Sequence, residues 1–374
     1  MKYYVIAGEA SGDLHASNLI KELKKVDTEA EFRAWGGDQI EKQNIKVVKH
    51  YRELAFMGYV DVLMNIRTIL RNMKFCKEDI EMYKPDALIL VDYPGFNMRI
   101  ATWAKKKGFK VFYYISPTVW AWKEHRVENI RKDTDRLFAI LPFEKPFYAK
   151  HKIDVDYEGH PLLDAFENNK NSYGSKEEFI SENKLDSRPI IAVLPGSRKG
   201  EIKYMLPEFV KVSRHFPEFQ FIIAGAPSLE ENLYYHYMPG KEMKILFGKT
   251  YQLLNFSHTG IITSGTATLE TALFNVPQVV CYKGNPISFA IVKSLVMKNL
   301  KYISLVNLIM DQPILKELIQ DEMNEVNIVK HLKSITNPGE QRFKILKGYQ
   351  ETREILGGCG ASERIAKKIV KYLS

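Results

Sequence analysis

Residues able to do chemistry cluster in this chain immediately after apolar runs. In Gly8-Glu9-Ala10-Ser11-Gly12-Asp13, a glycine-bearing turn joins the run Tyr3–Ala7 to a helical pattern. That is the layout of a phosphate-binding loop, yet it carries two acids where a phosphate should meet none. Helix capping by Ser11 or Asp13 accounts for one polar residue. It does not account for Glu9, so the functional reading is that Glu9, Ser11, Gly12 and Asp13 face the hydroxyls of a sugar. Asp92 follows the run Ala87–Val91 and precedes Pro94-Gly95. A carboxylate at a strand tip is where a general base belongs; a turn former or cap is the plainer alternative.

Two stretches further along suit a nucleoside diphosphate. Pro195-Gly196-Ser197-Arg198-Lys199-Gly200 leads from a strand into a helix, and two cations beside free loop N–H groups fit a pyrophosphate. Ser264-Gly265-Thr266 also follows a strand and opens a helix, so its N–H groups and the positive end of the dipole point at an anion. Glu270, one turn on, could accept hydrogen bonds from vicinal hydroxyls. In the stretch 113–126, Trp120 and Trp122 alternate ahead of Lys123, His125 and Arg126, either as core or as the lining of a pocket for an amphiphile.

Other patterns are decoys. Phe247-Gly248-Lys249-Thr250 ends like a P-loop, but Met243 holds the place of its first glycine. Asp154-Val155-Asp156 matches a metal-binding DxD but falls short of a site by itself. His15, His125 and His160 lack metal-ligand spacing. No metal and no cofactor is expected.

These residues need elements to position them. Strands are expected at 3–7, 31–35, 45–48, 87–91, 110–115, 136–141, 190–194, 219–224, 243–246, 260–263 and 278–282. Helices are expected at 13–25, 61–83, 97–107, 123–131, 202–216, 266–274, 287–297, 312–320 and 325–334. The alternation predicts an α/β protein with parallel sheets wrapped by helices. A polar stretch at 167–189 separates two such sets. The expected domains are therefore 1–168 and 188–341, followed by an amphipathic last segment, 342–374. Two doubly wound domains facing each other would place the loops after their strands in a cleft.

Composition bounds the partners. Hydrophobic residues make up 45% of the 374 and charged residues 26%, which suits a globular core. The net charge of +9 favours an anionic partner. There is no basic run with interleaved aromatics, so nucleic acid is not expected. Three dispersed cysteines argue against a disulfide scaffold and fit a reducing cytosol. The start is too short in apolar residues for a secretory signal, and no run is long enough to span a bilayer. The segment 54–75 sets Met57, Met64, Ile66 and Ile69 beside Arg67, Arg71 and Lys74. Such a face can lie on an anionic bilayer or cover acyl chains, or it can be a core helix with a solvated edge.

In order, the motifs GEASGDLH (8–15), ELAFMGYVDVL (53–63), VDYPGFN (91–97), YISPTVWAWKEHRV (114–127), LPFEKPFY (141–148), EGHPL (158–162), LPGSR (194–198), SGTATLE (264–270), YKGNPISF (282–289), SLVNL (304–308) and GASER (360–364) resemble the lipid-A-disaccharide synthases. These are inverting glycosyltransferases of lipid A biosynthesis. The resemblance implies a GT-B fold of two Rossmann-like domains, with the C-terminal segment crossing back to the first. It implies a reaction of UDP-2,3-diacylglucosamine with 2,3-diacylglucosamine 1-phosphate, giving a β-1,6-linked disaccharide phosphate and UDP. It makes Asp92 the base, Arg198 a donor-phosphate ligand, and Ser264, Gly265 and Thr266 the diphosphate loop. It makes Glu270 the ribose ligand and Asn307 a cleft asparagine. The chain departs from the family at Gly95, commonly an aspartate there, and at Leu14-His15-Ala16. An enzyme of this kind would work on the cytoplasmic face of the inner membrane, at its anionic surface, as a peripheral protein, with a homodimer left open. The alternatives are another GT-B enzyme using a UDP-sugar, such as the peptidoglycan glucosaminyltransferase or a UDP-GlcNAc 2-epimerase, and a catalytically silent lipid or sugar-nucleotide binding protein.

Overall fold

Continuous apolar runs rich in Val, Ile and Tyr become strands buried on both faces, as parallel sheets require. The computed structural model describes residues 1–54, 65–122, 124–169, 172–286, 289 and 300–374. The chain divides into Met1–Glu167 with Leu356–Ser374, and Asn168–Ile355. Unit 1 holds β1 (Lys2–Ala7), β2 (Glu31–Gly36), β3 (Val47–His50), β4 (Ala87–Val91), β5 (Val111–Tyr114), β6 (Arg136–Ala139) and β7 (Asp156–Tyr157). All its strand pairs are parallel, in the order β3-β2-β1-β4-β5-β6-β7. Side chains alternate between two cores. Tyr4, Ile6, Leu88, Leu90 and Tyr113 lie on one face. Tyr3, Val5, Ile89, Phe112 and Tyr114 lie on the other. The helix α1 (Ala10–Val26) covers the second face together with the C-terminal helix Ala361–Leu373, through Leu19, Ile20, Ile365 and Ile369.

The return of the C-terminal segment is fixed by polar contacts. Asp164 accepts from Gly360 N at 2.6 Å and Ser362 N at 2.8 Å. Lys368 pairs with Asp156 and, at 2.6 Å, with Glu158. Asp156, half of the DxD pattern, therefore anchors this helix. His15 and His160 are buried, with ring centroids 6.5 Å apart. Burial holds His15 down to about 4 and His160 down to about 3.

Unit 2 holds β8 (Ile190–Leu194), β9 (Gln220–Gly225), β10 (Lys244–Phe247), β11 (Ser257–Thr263), β12 (Gln278–Tyr282) and β13 (Glu317–Ile319), in the parallel order β10-β9-β8-β11-β12-β13. Both sheets thus run outward from a central pair, β1 with β4 and β8 with β11. The crevice at the carboxyl ends of such a pair is where doubly wound folds bind ligands.

One expectation fails. Residues 312–320 do not form a helix: Glu317–Ile319 is an edge strand pairing with Val280–Tyr282, and the neighbouring helix is Leu305–Met310. The spacing of Ile314, Leu315 and Leu318 reads as helical, but sheet pairing overrides so short a pattern. The expected helix 287–297 lies outside the described residues apart from Phe289.

Candidate active site

In unit 1 the register Ala7↔Val91 puts the first loop beside Asp92. Asp92 and Tyr93 both adopt left-handed backbone, with φ of 47° and 49°, and Ile115 at the end of β5 has φ 65°. Non-glycine residues pay about 1–3 kcal/mol each for such conformations, which persist where surrounding structure enforces them. Here the enforcement is visible. Asn97 Nδ2 donates to the carbonyls of Asp92 at 2.8 Å, Val91 at 3.2 Å and Ile6 at 3.3 Å. The Tyr113 hydroxyl donates to the Asp92 carbonyl at 2.8 Å. The Tyr93 ring lies so close over Gly8 that a Cβ there would meet it at 2.3 Å, which explains the glycine.

The Asp92 carboxyl is pushed up to about 7, chiefly by burial, then by the charges of Glu9 and Glu144. A carboxylate that exchanges a proton near neutrality while keeping some solvent exposure suits a general base. Glu9 is the residue before α1, extended and half-buried. Ser11 is exposed and Gly12 buried in the first turn.

Asp13 behaves differently from the sugar-facing acid expected of it. It is buried, and its oxygens accept from Gly37 N at 2.7 Å, Gln39 N at 2.9 Å and Ile40 N at 3.3 Å. It therefore caps the helix Asp38–Glu41 after β2. Both oxygens thus accept from backbone N–H groups of unit 1.

Unit 2 brings the other two loops to the β8/β11 pair, with Leu194 opposite Ile262. Gly265 has φ 112° and precedes the helix Thr266–Leu273, which has no side-chain cap. A Cβ built on Gly265 meets no atom within 4 Å. Ser264 and Gly265 are half-buried and Thr266 is exposed, so the positive end of this helix is accessible to an anion. Arg198 and Lys199 are exposed at the start of the helix Lys199–Ser213. Two N–H groups of that loop are taken, contrary to expectation: Ser197 N and Arg198 N donate to Glu201 Oε2 at 2.9 and 3.2 Å. Its cationic side chains stay exposed to an anion. Glu270 accepts from the Tyr251 hydroxyl at 2.9 Å, and burial raises its pKa.

Asn307 does not fit a ligand role. It is buried, donates to Leu315 O and Glu317 Oε1, each at 2.9 Å, and accepts from Leu315 N at 2.8 Å. Glu317 also takes Ile303 N, Ser304 N and Ser304 Oγ. The SLVNL motif is a lock that carries the chain from the Leu305–Met310 helix into β13.

The basic apolar segment is described from Asn65 onward; Met57 and Met64 lie outside the described residues. On the helix Ile66–Tyr83, Ile66 is 39% and Leu70 55% exposed, beside exposed Arg67, Arg71 and Lys74. Ile69 is half-buried. Among the described residues no helix is long and apolar enough to cross a membrane. Sequence reasoning gave no role to Asn97, Tyr113, Glu144 or Tyr251. For Glu144 a signal existed: a lone acid between Phe143 and Pro146-Phe147. Trp120 is half-buried and donates to Glu144, while the side chains of Trp122 and His125 lie outside the described residues.

The family model for lipid-A-disaccharide synthetase matches residues 3–369. The lipid-A-disaccharide synthase of Geobacter metallireducens is 36% identical over 99% of this chain and 96% of its own length. That of Syntrophus aciditrophicus is 36% identical over 97% and 95%. Among solved structures, the UDP-GlcNAc 2-epimerase of Neisseria meningitidis bound to UDP-GlcNAc superposes with a TM-score of 0.69 over 99% of this chain and 100% of its own. At 15% identity that likeness is one of fold, the GT-B architecture.

Proposed function

The chain belongs to the lipid-A-disaccharide synthetase family, and within it we propose a donor, an acceptor and a division of labour between the units. The donor is UDP-2,3-diacylglucosamine and the acceptor 2,3-diacylglucosamine 1-phosphate. Unit 2 holds the nucleotide. The helix start at Ser264-Gly265-Thr266 and the Arg198 side chain face the diphosphate, and Glu270 accepts from ribose hydroxyls. Unit 1 handles the acceptor, with Glu9, Ser11 and Gly12 on the sugar side and Asp92 as the base.

The acceptor 6-hydroxyl oxygen attacks the anomeric carbon from the face opposite UDP, and its proton passes to the Asp92 carboxylate. The bond from the anomeric carbon to the UDP oxygen breaks, and its electron pair leaves with UDP. Fixed N–H donors and a guanidinium stabilise the charge that develops there. A single displacement inverts the centre and yields the β-1,6-linked disaccharide 1-phosphate. The observation that carries this reading is Asp92: a carboxyl at the β1/β4 switch point, clamped in a strained conformation and buried enough to titrate near neutrality.

The exposed Ile66 and Leu70 beside Arg67 and Arg71 support contact with an anionic bilayer, where both acylated substrates reside. We place this on the cytoplasmic face of the inner membrane. A 2-epimerase shares the architecture, but the full-length relatedness does not favour it.

The test is Asp92→Asn with UDP binding measured alongside turnover. Removing a general base should cost about 10²–10⁴-fold in kcat, with UDP affinity unchanged. Unchanged turnover would remove Asp92 from the reaction.

A further inference from the structure

A third carboxylate lies at the same edge of the unit 1 sheet as Asp92 and Glu9, and neither the reaction above nor the sequence motifs give it work. Glu144 opens the helix Glu144–Lys150 just beyond β6, is 1% exposed, and is surrounded by donors. Its Oε2 accepts from Ile140 N at 3.0 Å and Leu141 N at 2.9 Å. Its Oε1 accepts from Trp120 Nε1 at 3.3 Å. Trp120 in turn packs edge-on against Phe143, with centroids 4.8 Å apart. On the same segment Ser116 Oγ bonds the Tyr148 hydroxyl at 2.6 Å, one turn along the Glu144 helix. This segment begins at Ile115, the strained residue at the end of β5, the strand between β4 and β6. Glu144 thus ties the loop after β5 to the end of β6. It does so as a buried carboxyl whose burial cost is offset by the three hydrogen bonds it accepts.

We propose that Glu144 is a positioning residue for Asp92: it pins the Ser116–Trp120 segment, which leads out of the strand whose Tyr114 carbonyl accepts from Asp92 N at 3.0 Å, and it adds a second negative charge at that sheet edge. This rests on the reading of Asp92 as base. The groups that face Asp92 are Glu9 before α1, Tyr93 beside it, the neutral Asn97 amide on the following helix, the Tyr113 hydroxyl on β5, and Glu144. The two charged groups acting on its carboxyl are both acids. A neighbouring negative charge makes Asp92 hold its proton more tightly, so it is a stronger base toward a hydroxyl. Burial also pushes Glu144 itself up to about 7, so the two carboxyls titrate in the same range.

Two variants separate the charge from the tether. Glu144→Gln removes the charge; its amide oxygen can still accept from Ile140 N and Leu141 N, but its NH2 then meets Trp120 Nε1–H, so it also loses the tether, the loss that Trp120→Phe reproduces alone. The acid limb of its kcat/KM profile should move to lower pH, because Asp92 stays ionised further down. A half-unit displacement leaves the variant about threefold less attenuated at pH 6, relative to its own maximum, than the wild type. Trp120→Phe breaks the tether and keeps the charge: kcat should fall with the acid limb unmoved. Superimposable limbs for Glu144→Gln and wild type would overturn the proposal. Asp92→Asn, run in parallel, distinguishes the failures. If Asp92→Asn retains turnover, the base assignment fails; if it is inactive while Glu144→Gln leaves the limb in place, only the role of Glu144 fails. Should Glu144→Gln not fold, a carbon-13 carboxyl titration of the wild-type chain decides. Mutually displaced, two-step curves for Asp92 and Glu144 support the coupling, and independent single-step curves refute it.

Discussion

Asn97→Ala probes the clamp that holds Asp92, the residue we propose as the base. Asn97 lies fully buried one turn into the helix Pro94–Lys106, and its amide donates to three carbonyls at the β1/β4 edge. Removing it takes away two amide protons shared among these carbonyls, while the Asp92 carbonyl keeps the Tyr113 hydroxyl as a donor. That costs about 1–2 kcal/mol. Asn97 Oδ1 is itself buried without a hydrogen-bond partner among the described residues, so its removal returns part of the loss. Stability should therefore fall by no more than about 1 kcal/mol, or ~2–4 °C in Tm for a domain of this size. The rate should suffer more. The left-handed turn at Asp92 stores about 1–3 kcal/mol of strain, and losing a tie of similar worth lets it relax. If about 1.4 kcal/mol of that preorganisation is lost, kcat falls about tenfold. UDP affinity, which we assign to unit 2, should stay constant. The assay is paired: calorimetric unfolding, and initial rates at saturating donor and acceptor. A kcat within about twofold of wild type would refute the claim that this backbone geometry matters, whatever the Tm.

Other consequences follow from the same structure. Tyr251→Phe frees one oxygen of Glu270; it should raise the KM for the UDP donor with little change in kcat, and a kcat effect alone would contradict the ribose role. Ile66→Ser with Leu70→Ser should weaken sedimentation with anionic vesicles while leaving UDP binding intact; equal sedimentation would detach this helix from the membrane. His15 and His160 are held neutral, with pKa values of about 4 and 3 against 6.5 unfolded. The unfolded chain takes up their protons first, so stability should drop as pH falls below about 6.5, by up to ~1.4 kcal/mol per pH unit for each histidine. His15→Gln should flatten that slope in denaturation measured from pH 7 to 5, and an unchanged slope would show the acid sensitivity lies elsewhere.

The central strands were legible because a parallel strand buried on both faces is a continuous apolar run, as in Ala87–Val91 and Ile190–Leu194. The edge strands Asp156–Tyr157 and Glu317–Ile319 were not, since so few residues carry no period and owe their conformation to the neighbouring strand. The positions of Asp92 and of Ser264-Gly265-Thr266 could be read from their place after such runs. Asp13 and Asn307 show the limit of that reasoning. A polar residue in a loop motif looks the same in sequence whether it meets a ligand or a backbone N–H, and here burial and partners give both to the backbone. Glu201 is the same lesson in reverse, an acid downstream that occupies N–H groups the loop seemed to offer. Tyr251 left no trace at all, because nothing in the sequence places it against Glu270.

The most direct test is product analysis of the purified chain incubated with UDP-2,3-diacylglucosamine and 2,3-diacylglucosamine 1-phosphate, by mass spectrometry and NMR of the new linkage. The account predicts one tetra-acyl disaccharide 1-phosphate, β-1,6-linked, for each UDP released. UDP released without disaccharide, or a retained anomeric configuration, would contradict it.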